Sequence, residues 1–494
     1  MSNAYATLVA RFTKLYRYQH LAAIAAWDQA AMMPTAGNAA RGAALAELAV
    51  LMHETITDPA LGAALTAAAA EVRDPVDAAS VREMQRQWQS ANVLPASLVE
   101  ARSLAGSRCE HAWRTQRQAN DWDGFLANWR PVVELARQEA TLLAEATGLS
   151  RYDALVDRFE PGMRSAEIER VFSELKGWLP SLVSDVIARQ QSEPVIAPVG
   201  PFPIDQQRAL GLALMRLLGF DFAGGRLDVS THPFCGGVPE DVRITTRYAD
   251  DDFVQAMMGV VHETGHARYE QRLPRAWVHL PLGQARSMGV HESQSLSFEM
   301  QLGRSEPFLS LIAPLITAHF GEQPAFTPAN LAKLYTRVHR GFIRTEADEV
   351  TYPAHVILRF EIERALIEGE LEPEDVPALW SEKMQAYLGL DTRANFRDGC
   401  LQDIHWTDGA FGYFPTYTLG AMYAAQYFAT IRAQHPDLDA RIAAGDLAPI
   451  FTWFEANIWS QASRWTTPEL IERATGAPLS AAHFERHLRQ RYLG

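Results

Sequence analysis

His262-Glu263-Thr264-Gly265-His266 sets two imidazoles four residues apart, so on a helix both rings leave one face and can grip a single divalent metal. The glutamate between them then reaches a water on that metal. Zinc held by neutral nitrogen ligands brings the pKa of bound water to about 7, and a neighbouring carboxylate can take its proton as it attacks a peptide carbonyl. That is the chemistry of a metallopeptidase. Catalytic zinc takes three protein ligands, so one more donor is required. A histidine at 272 preceded by a glycine at 269 would mark one large class of such sites, but Arg272 and Tyr269 stand there. Glu292 is the predicted third ligand, with His291 and Glu299 as rivals. Glu299, seven residues beyond Glu292, would share its helical face and support the site from behind.

The elements that must carry these groups are legible nearby. Asp251-Asp252 suit a helix start, and Phe253, Met257, Val260 and Val261 repeat at helical intervals, so the pentapeptide is expected on a buried helix. A second helix is expected through His291, Glu292, Leu296, Phe298, Met300 and Leu302. Just upstream, Leu227–Phe234 and the alternating run Val242–Tyr248 read as a small strand pair leading into the first of these helices.

The arrangement resembles the carboxypeptidase Taq family of zinc carboxypeptidases. Besides HETGH and His291-Glu292-Ser293-Gln294, the family's signatures occur in order: His232-Pro233-Phe234, Asp241-Val242-Arg243-Ile244-Thr245, Ile343-Arg344-Thr345-Glu346-Ala347-Asp348, and Gly399 to Trp406 ending in Gln402-Asp403-Ile404-His405-Trp406. Gly412-Tyr413-Phe414-Pro415-Thr416-Tyr417 follows. Trp27-Asp28-Gln29, Met33-Pro34, Tyr152-Asp153-Ala154-Leu155 and Glu160-Pro161-Gly162-Met163 extend the likeness towards the amino end. The chain departs after Glu292, where Leu296, Phe298, Glu299 and Met300 replace an arginine and an aromatic-Glu-Asn run.

The resemblance implies an elongated, mainly α, two-lobed metallopeptidase fold with a deep groove, assembled as a homodimer, releasing single C-terminal residues with broad specificity. It also implies that His405, with Tyr413 or Tyr417, donates hydrogen bonds to the developing oxyanion. A carboxypeptidase must recognise a free carboxylate, for which a planar guanidinium is suited. Arg344 is the candidate, against the competing reading of a helical ion pair with Asp348 four residues on. Arg243 and Arg247 are alternatives, and His232 is a candidate for contacting the substrate backbone. Asp348 and Asp403 are the carboxylates expected to orient the ligating histidines. Zn2+ is the expected cofactor, with Co2+ acceptable to the same donors. An HExxH oligoendopeptidase or dipeptidyl carboxypeptidase shares this chemistry, and a metal-free peptide-binding scaffold is the non-catalytic alternative.

At 494 residues the chain exceeds the ~250–300 at which one core stops growing. Two lobes are therefore expected, 1–225 and 226–494, with a soft boundary after the proline-rich break at 193–203. Helical periodicity marks Ala39–Met52, Ala78–Ala91, Trp122–Ala146, Ala166–Gln190 and Pro353–Gly369. A net charge of −14 without a basic cluster argues against nucleic acid or an anionic membrane as partner. Cys109, Cys235 and Cys400 form no CxxC, so neither a disulfide framework nor a thiolate metal site is expected. Met1–Tyr18 lacks the order of a signal peptide and no apolar run approaches a ~20-residue span, which points to a soluble cytoplasmic protein.

Overall fold

The periodic segments are helices in the computed structural model, which describes residues 3–494. Helices span Asn38–Thr57, Pro75–Asn92, Trp122–Thr147, Ser165–Gln190 and Tyr352–Glu368, each within a few residues of its expected bounds. Local chemistry starts and stops them. Asp121 accepts from the backbone N–H of Gly124 at the start of Trp122–Thr147, and Gly148 ends that helix in the left-handed conformation. Residues 191–203 connect two helices without forming one. Among the described residues no helix is long and apolar enough to cross a membrane.

The main hydrophobic core runs through residue 225. It joins Phe202, Leu210 and Leu214 to Phe253, Met257 and Val261, and extends to Tyr492. A smaller cluster ties Tyr5, Leu8, Phe12 and Leu15 of the helix Asn3–Ala31 to Leu61, Leu65 and Met84. These amino-terminal helices are fastened to the rest of the chain by a buried ion pair. Arg286 grips Glu83 through Nη1 and Nη2, at 3.1 and 3.0 Å, and also donates to the carbonyls of Ser463 and Trp465.

The expected strand pair is a three-stranded sheet. Strands β1 (Gly225–Val229), β2 (Cys235–Val238) and β3 (Asp241–Thr246) lie in the order β1-β3-β2, with β1 parallel and β2 antiparallel to the central β3. The segment Leu227–Phe234 therefore does not continue as one strand. It breaks after Val229, and the chain turns back to form β2, whose Gly236-Gly237 lacks the β-branched alternation that marks a strand in sequence. The sheet's function is to seat the pentapeptide helix: Leu227, Val242 and Ile244 pack against Val260 and Ala267 of that helix.

Candidate metal centre

The pentapeptide helix spans Val254–Arg272 and begins where Asp252 accepts from the backbone N–H of Val254. Its partner, Met288–Leu296, is capped by the Ser287 hydroxyl on the N–H of Val290. Buried Glu160 accepts a further hydrogen bond from the N–H of Gly289 in that helix's first turn. The second helix does continue through Leu302, but as a π-helical stretch over Ser297–Gly303. Arg491, from the last helix of the chain, donates to the Met300 and Gln301 carbonyls there.

Crossing of these two helices brings three donors together. Glu292 Oε2 lies 3.4 Å from His266 Nε2 and 3.9 Å from His262 Nε2, and the ligand atoms of all three residues fall within 4.8 Å of one another. A tetrahedral ion with bonds of about 2.0–2.1 Å needs its donors roughly 3.3 Å apart, so this spacing fits a metal with little adjustment. Charge argues the same way. Glu263, Glu292 and Glu299 act together on half-buried His262, an accumulation of carboxylates that calls for a compensating cation. Burial opposes the charge of Glu292, yet the hydrogen bond to His266 and the field of His262 hold its carboxyl down at about 2.

Each imidazole is oriented from behind. His262 Nδ1 lies 2.8 Å from Glu299 Oε2, and Arg304 donates to the other oxygen of Glu299 at 2.5 Å. His266 Nδ1 lies 2.6 Å from His291 Nδ1, while His291 Nε2 is 2.8 Å from Glu270 Oε1. If the Nε2 atoms bind metal, each Nδ1 keeps its hydrogen, and the second chain must run from His266 through His291 to Glu270. Glu299 and His291, the rivals to Glu292, thus lie behind the two rings, at their Nδ1 atoms, and outside the three-donor cluster. We expect Glu299→Ala to weaken metal binding about 10–100-fold, with Glu299→Gln losing less because it keeps an acceptor for His262. Competition against a chromophoric chelator measures this, and equal affinity in all three proteins would remove Glu299 from the account.

Asp348 and Asp403, expected to orient these rings, do other work. Asp348 accepts from the backbone N–H groups of His339, Val350 and Thr351, closing a turn. Asp403 is held between Arg344 and Arg359, at 2.9 and 2.5 Å. Burial works against its ionisation, but the two guanidinium groups outweigh that and keep its carboxyl at about 2. Glu270 and Arg304 went unnoticed in the sequence. Glu270 carried a signal, since it follows His266 by four residues on the same helix, whereas nothing local marks Arg304.

Glu263 is buried, and its Oε2 has no hydrogen-bond partner among the described residues. Burial raises its carboxyl to about 7, His262 opposing and Glu292 reinforcing the shift. A carboxylate with one unpaired oxygen beside a metal cradle is equipped to take a proton from a water.

On the other side of Glu292 stands an aromatic cluster. The helix Pro415–Gln434 passes so close that a Cβ built on Gly420 would lie 3.0 Å from Glu292 Cβ. Tyr417, about one turn earlier, and Tyr413 sit with ring centres 5.4 Å apart, and burial raises both phenols, the charge of Glu292 adding to it. His405 stacks on Tyr413 at 5.5 Å with its Nδ1 buried and unpartnered among the described residues. Burial, aided by Arg344, lowers it to about 4, so at neutral pH its ring is uncharged.

Arg344 joins this cluster through Tyr352, whose hydroxyl accepts from Nη1 at 2.8 Å. It lies in a short turn and pairs with Asp403, not with Asp348. His232 and Arg243 stay apart from the cluster. His232 is exposed ahead of β2, while Arg243 pairs with Asp241 and lies 4.2 Å over the Trp27 ring. Arg247, the other alternative, is exposed just beyond β3.

Comparison with known proteins gives a consistent result. A family model described as carboxypeptidase Taq (M32) metallopeptidase matches residues 7–492. The chain is 39% identical over 484 residues to thermostable carboxypeptidase 1 of Thermus thermophilus, covering 96% of this chain and 95% of that protein. It is 33% identical to thermostable carboxypeptidase 1 of Pyrococcus furiosus, covering 98% of each. The structure of Trypanosoma cruzi metallocarboxypeptidase 1 superposes with a TM-score of 0.98 at 46% identity, covering 99% of both chains.

Proposed function

The chain belongs to the carboxypeptidase Taq (M32) metallopeptidase family and is a peptide hydrolase, and on that premise we propose that it releases single residues from free peptide C-termini with broad specificity, using zinc on His262, His266 and Glu292. The observation that carries this reading is the convergence of those three donors beside the unpaired oxygen of Glu263. A zinc ion held there supplies a Lewis acid that polarises the scissile carbonyl and acidifies water; Co2+ would serve in the same donors.

The chain's own residues do the rest. Glu263 accepts the proton of the attacking water and later delivers it to the leaving amine. His405, uncharged, and one of Tyr413 and Tyr417 donate hydrogen bonds to the oxygen on which charge develops. Arg344, with the Tyr352 hydroxyl beside it, receives the terminal carboxylate. Arg243 is the weaker candidate for that task, because it lies over the Trp27 ring, whereas Arg344 lies against Tyr417 in the cluster beside Glu292. Exposed His232 is left to contact the incoming backbone.

The test compares an N-blocked peptide carrying a free C-terminus with its C-terminal amide. Single-residue release from the acid, and little from the amide, is the expected outcome. Release of dipeptides, or internal cleavage of both peptides at similar rates, would overturn the proposal in favour of an oligopeptidase. Arg344→Gln is expected to narrow the acid-to-amide ratio of kcat/KM, a readout that a mere loss of stability would leave unchanged.

A further inference from the structure

His405 and Tyr413 stand on a stretch, residues 401–414, that forms neither helix nor strand, so no regular backbone ladder fixes where they point. A side chain does this instead. Glu363, in the helix Tyr352–Glu368, is fully buried against that stretch. Its Oε1 accepts from the Trp406 indole Nε1 at 2.8 Å, and its Oε2 accepts from the backbone N–H of Gly412 at 3.0 Å. Those two donors are the chain neighbours of His405 and Tyr413. A third bond, from the Tyr152 hydroxyl to Oε2 at 3.0 Å, fastens the carboxylate to the helix Arg151–Phe159. Trp406 is held from another side as well, since Trp129 stacks on it with ring centres 5.7 Å apart and donates to its carbonyl at 2.8 Å.

Burying a carboxylate is costly unless hydrogen bonds replace its water, and an apolar side chain would fill the same space at less cost. Two of the three bonds that Glu363 makes go to one segment. The indole and the peptide N–H can only donate, so this clamp needs an acceptor at both oxygens. The rings of His405 and Tyr413, which flank the anchored residues in the chain, stack with centres 5.5 Å apart, so displacement of either anchor is passed to both. We propose that Glu363 is a positioning residue for the reaction, clamping this segment at Trp406 and Gly412 and so setting the aim of His405 and Tyr413. The inference rests on the reading of those side chains as donors to the developing oxyanion. Such donors act only when aimed where charge forms, and a displacement of about 1 Å can cost roughly 100-fold in rate.

Glu363→Gln keeps the shape of the side chain but turns an amide N–H towards one of the two donors. In the metal-loaded full-length enzyme its kcat is expected to fall about 10–100-fold, with KM and metal content near the wild-type values. Trp406→Phe removes one anchor alone; its kcat is expected to fall less, and it carries the same comparison should Glu363→Gln fail to fold. Tyr152→Phe, which removes only the bond outside the segment, is expected to lower the melting temperature and leave kcat unchanged. The deciding background is the double variant His405→Ala with Tyr413→Phe. Adding Glu363→Gln to it is expected to lower kcat no further. Wild-type kcat in Glu363→Gln, an equal fall in Tyr152→Phe, or the same fold-loss with and without His405 and Tyr413 overturns the proposal. Wild-type kcat in the double variant would instead remove the oxyanion reading, and this inference with it.

Discussion

Glu263→Gln is expected to lower kcat by roughly 10²–10⁴-fold while metal content stays at the wild-type level. Glutamine keeps the size and one acceptor oxygen of the side chain but cannot take a proton. The substitution therefore removes the base and leaves His262, His266 and Glu292 untouched. Its partner experiment, Glu292→Ala, should do the reverse by losing metal first, so the two variants separate chemistry from ligation when metal analysis accompanies the kinetics. Wild-type turnover in Glu263→Gln would sink the assignment. The same residue shapes the pH profile. Glu263 acts only when ionised, and burial holds its carboxyl up at about 7, a value that a bound cation would lower. kcat/KM is accordingly expected to fall as pH drops below neutrality and the carboxylate takes up its proton.

Gly265→Ala should be nearly as damaging, although it alters no chemical group. A Cβ at this position would stand 2.5 Å from the Gln294 carbonyl oxygen and 2.7 Å from Ser295 Cα. Both are backbone atoms of the facing helix, so nothing flexible can yield. The two helices must separate, and it is their contact that sets Glu292 against the histidines. Overpacking of this kind costs about 1–3 kcal/mol, and a displaced ligand should weaken metal affinity by about tenfold or more. Gly259→Ala on the same helix is the control. Its added methyl would meet only the Thr246 hydroxyl, at 4.0 Å, and alanine is the better helix former by about 0.5–1 kcal/mol. Thermal unfolding and chelator competition on both variants check the claim, which fails if the two alanines behave alike.

The helices were legible because a 3.6-residue period is written locally, and the meeting of His262, His266 and Glu292 because HETGH asks for a third donor nearby. What the sequence hid was set by distant packing. The glycines of β2 erase the strand pattern, and only pairing with β3 makes the segment extended. Asp403 reads as a spare carboxylate until the fold inserts it between Arg344 and Arg359, residues more than forty positions away. The π-helical stretch is similar. Its supports are Arg491 and Arg304, the partner of Glu299, and neither is implied by the run Ser297–Gly303 itself.

Arg286 gives the molecule a mechanical property. It stands beside Ser287, whose hydroxyl starts the Glu292 helix, and it is bolted both to Glu83 and to the carbonyls at 463 and 465. Releasing Glu83 would strand a charge in the interior at a cost of about 3–5 kcal/mol, so the amino-terminal helices cannot swing freely on their own. A movement of the amino-terminal helices that keeps this pair intact would carry the start of the Glu292 helix along with it.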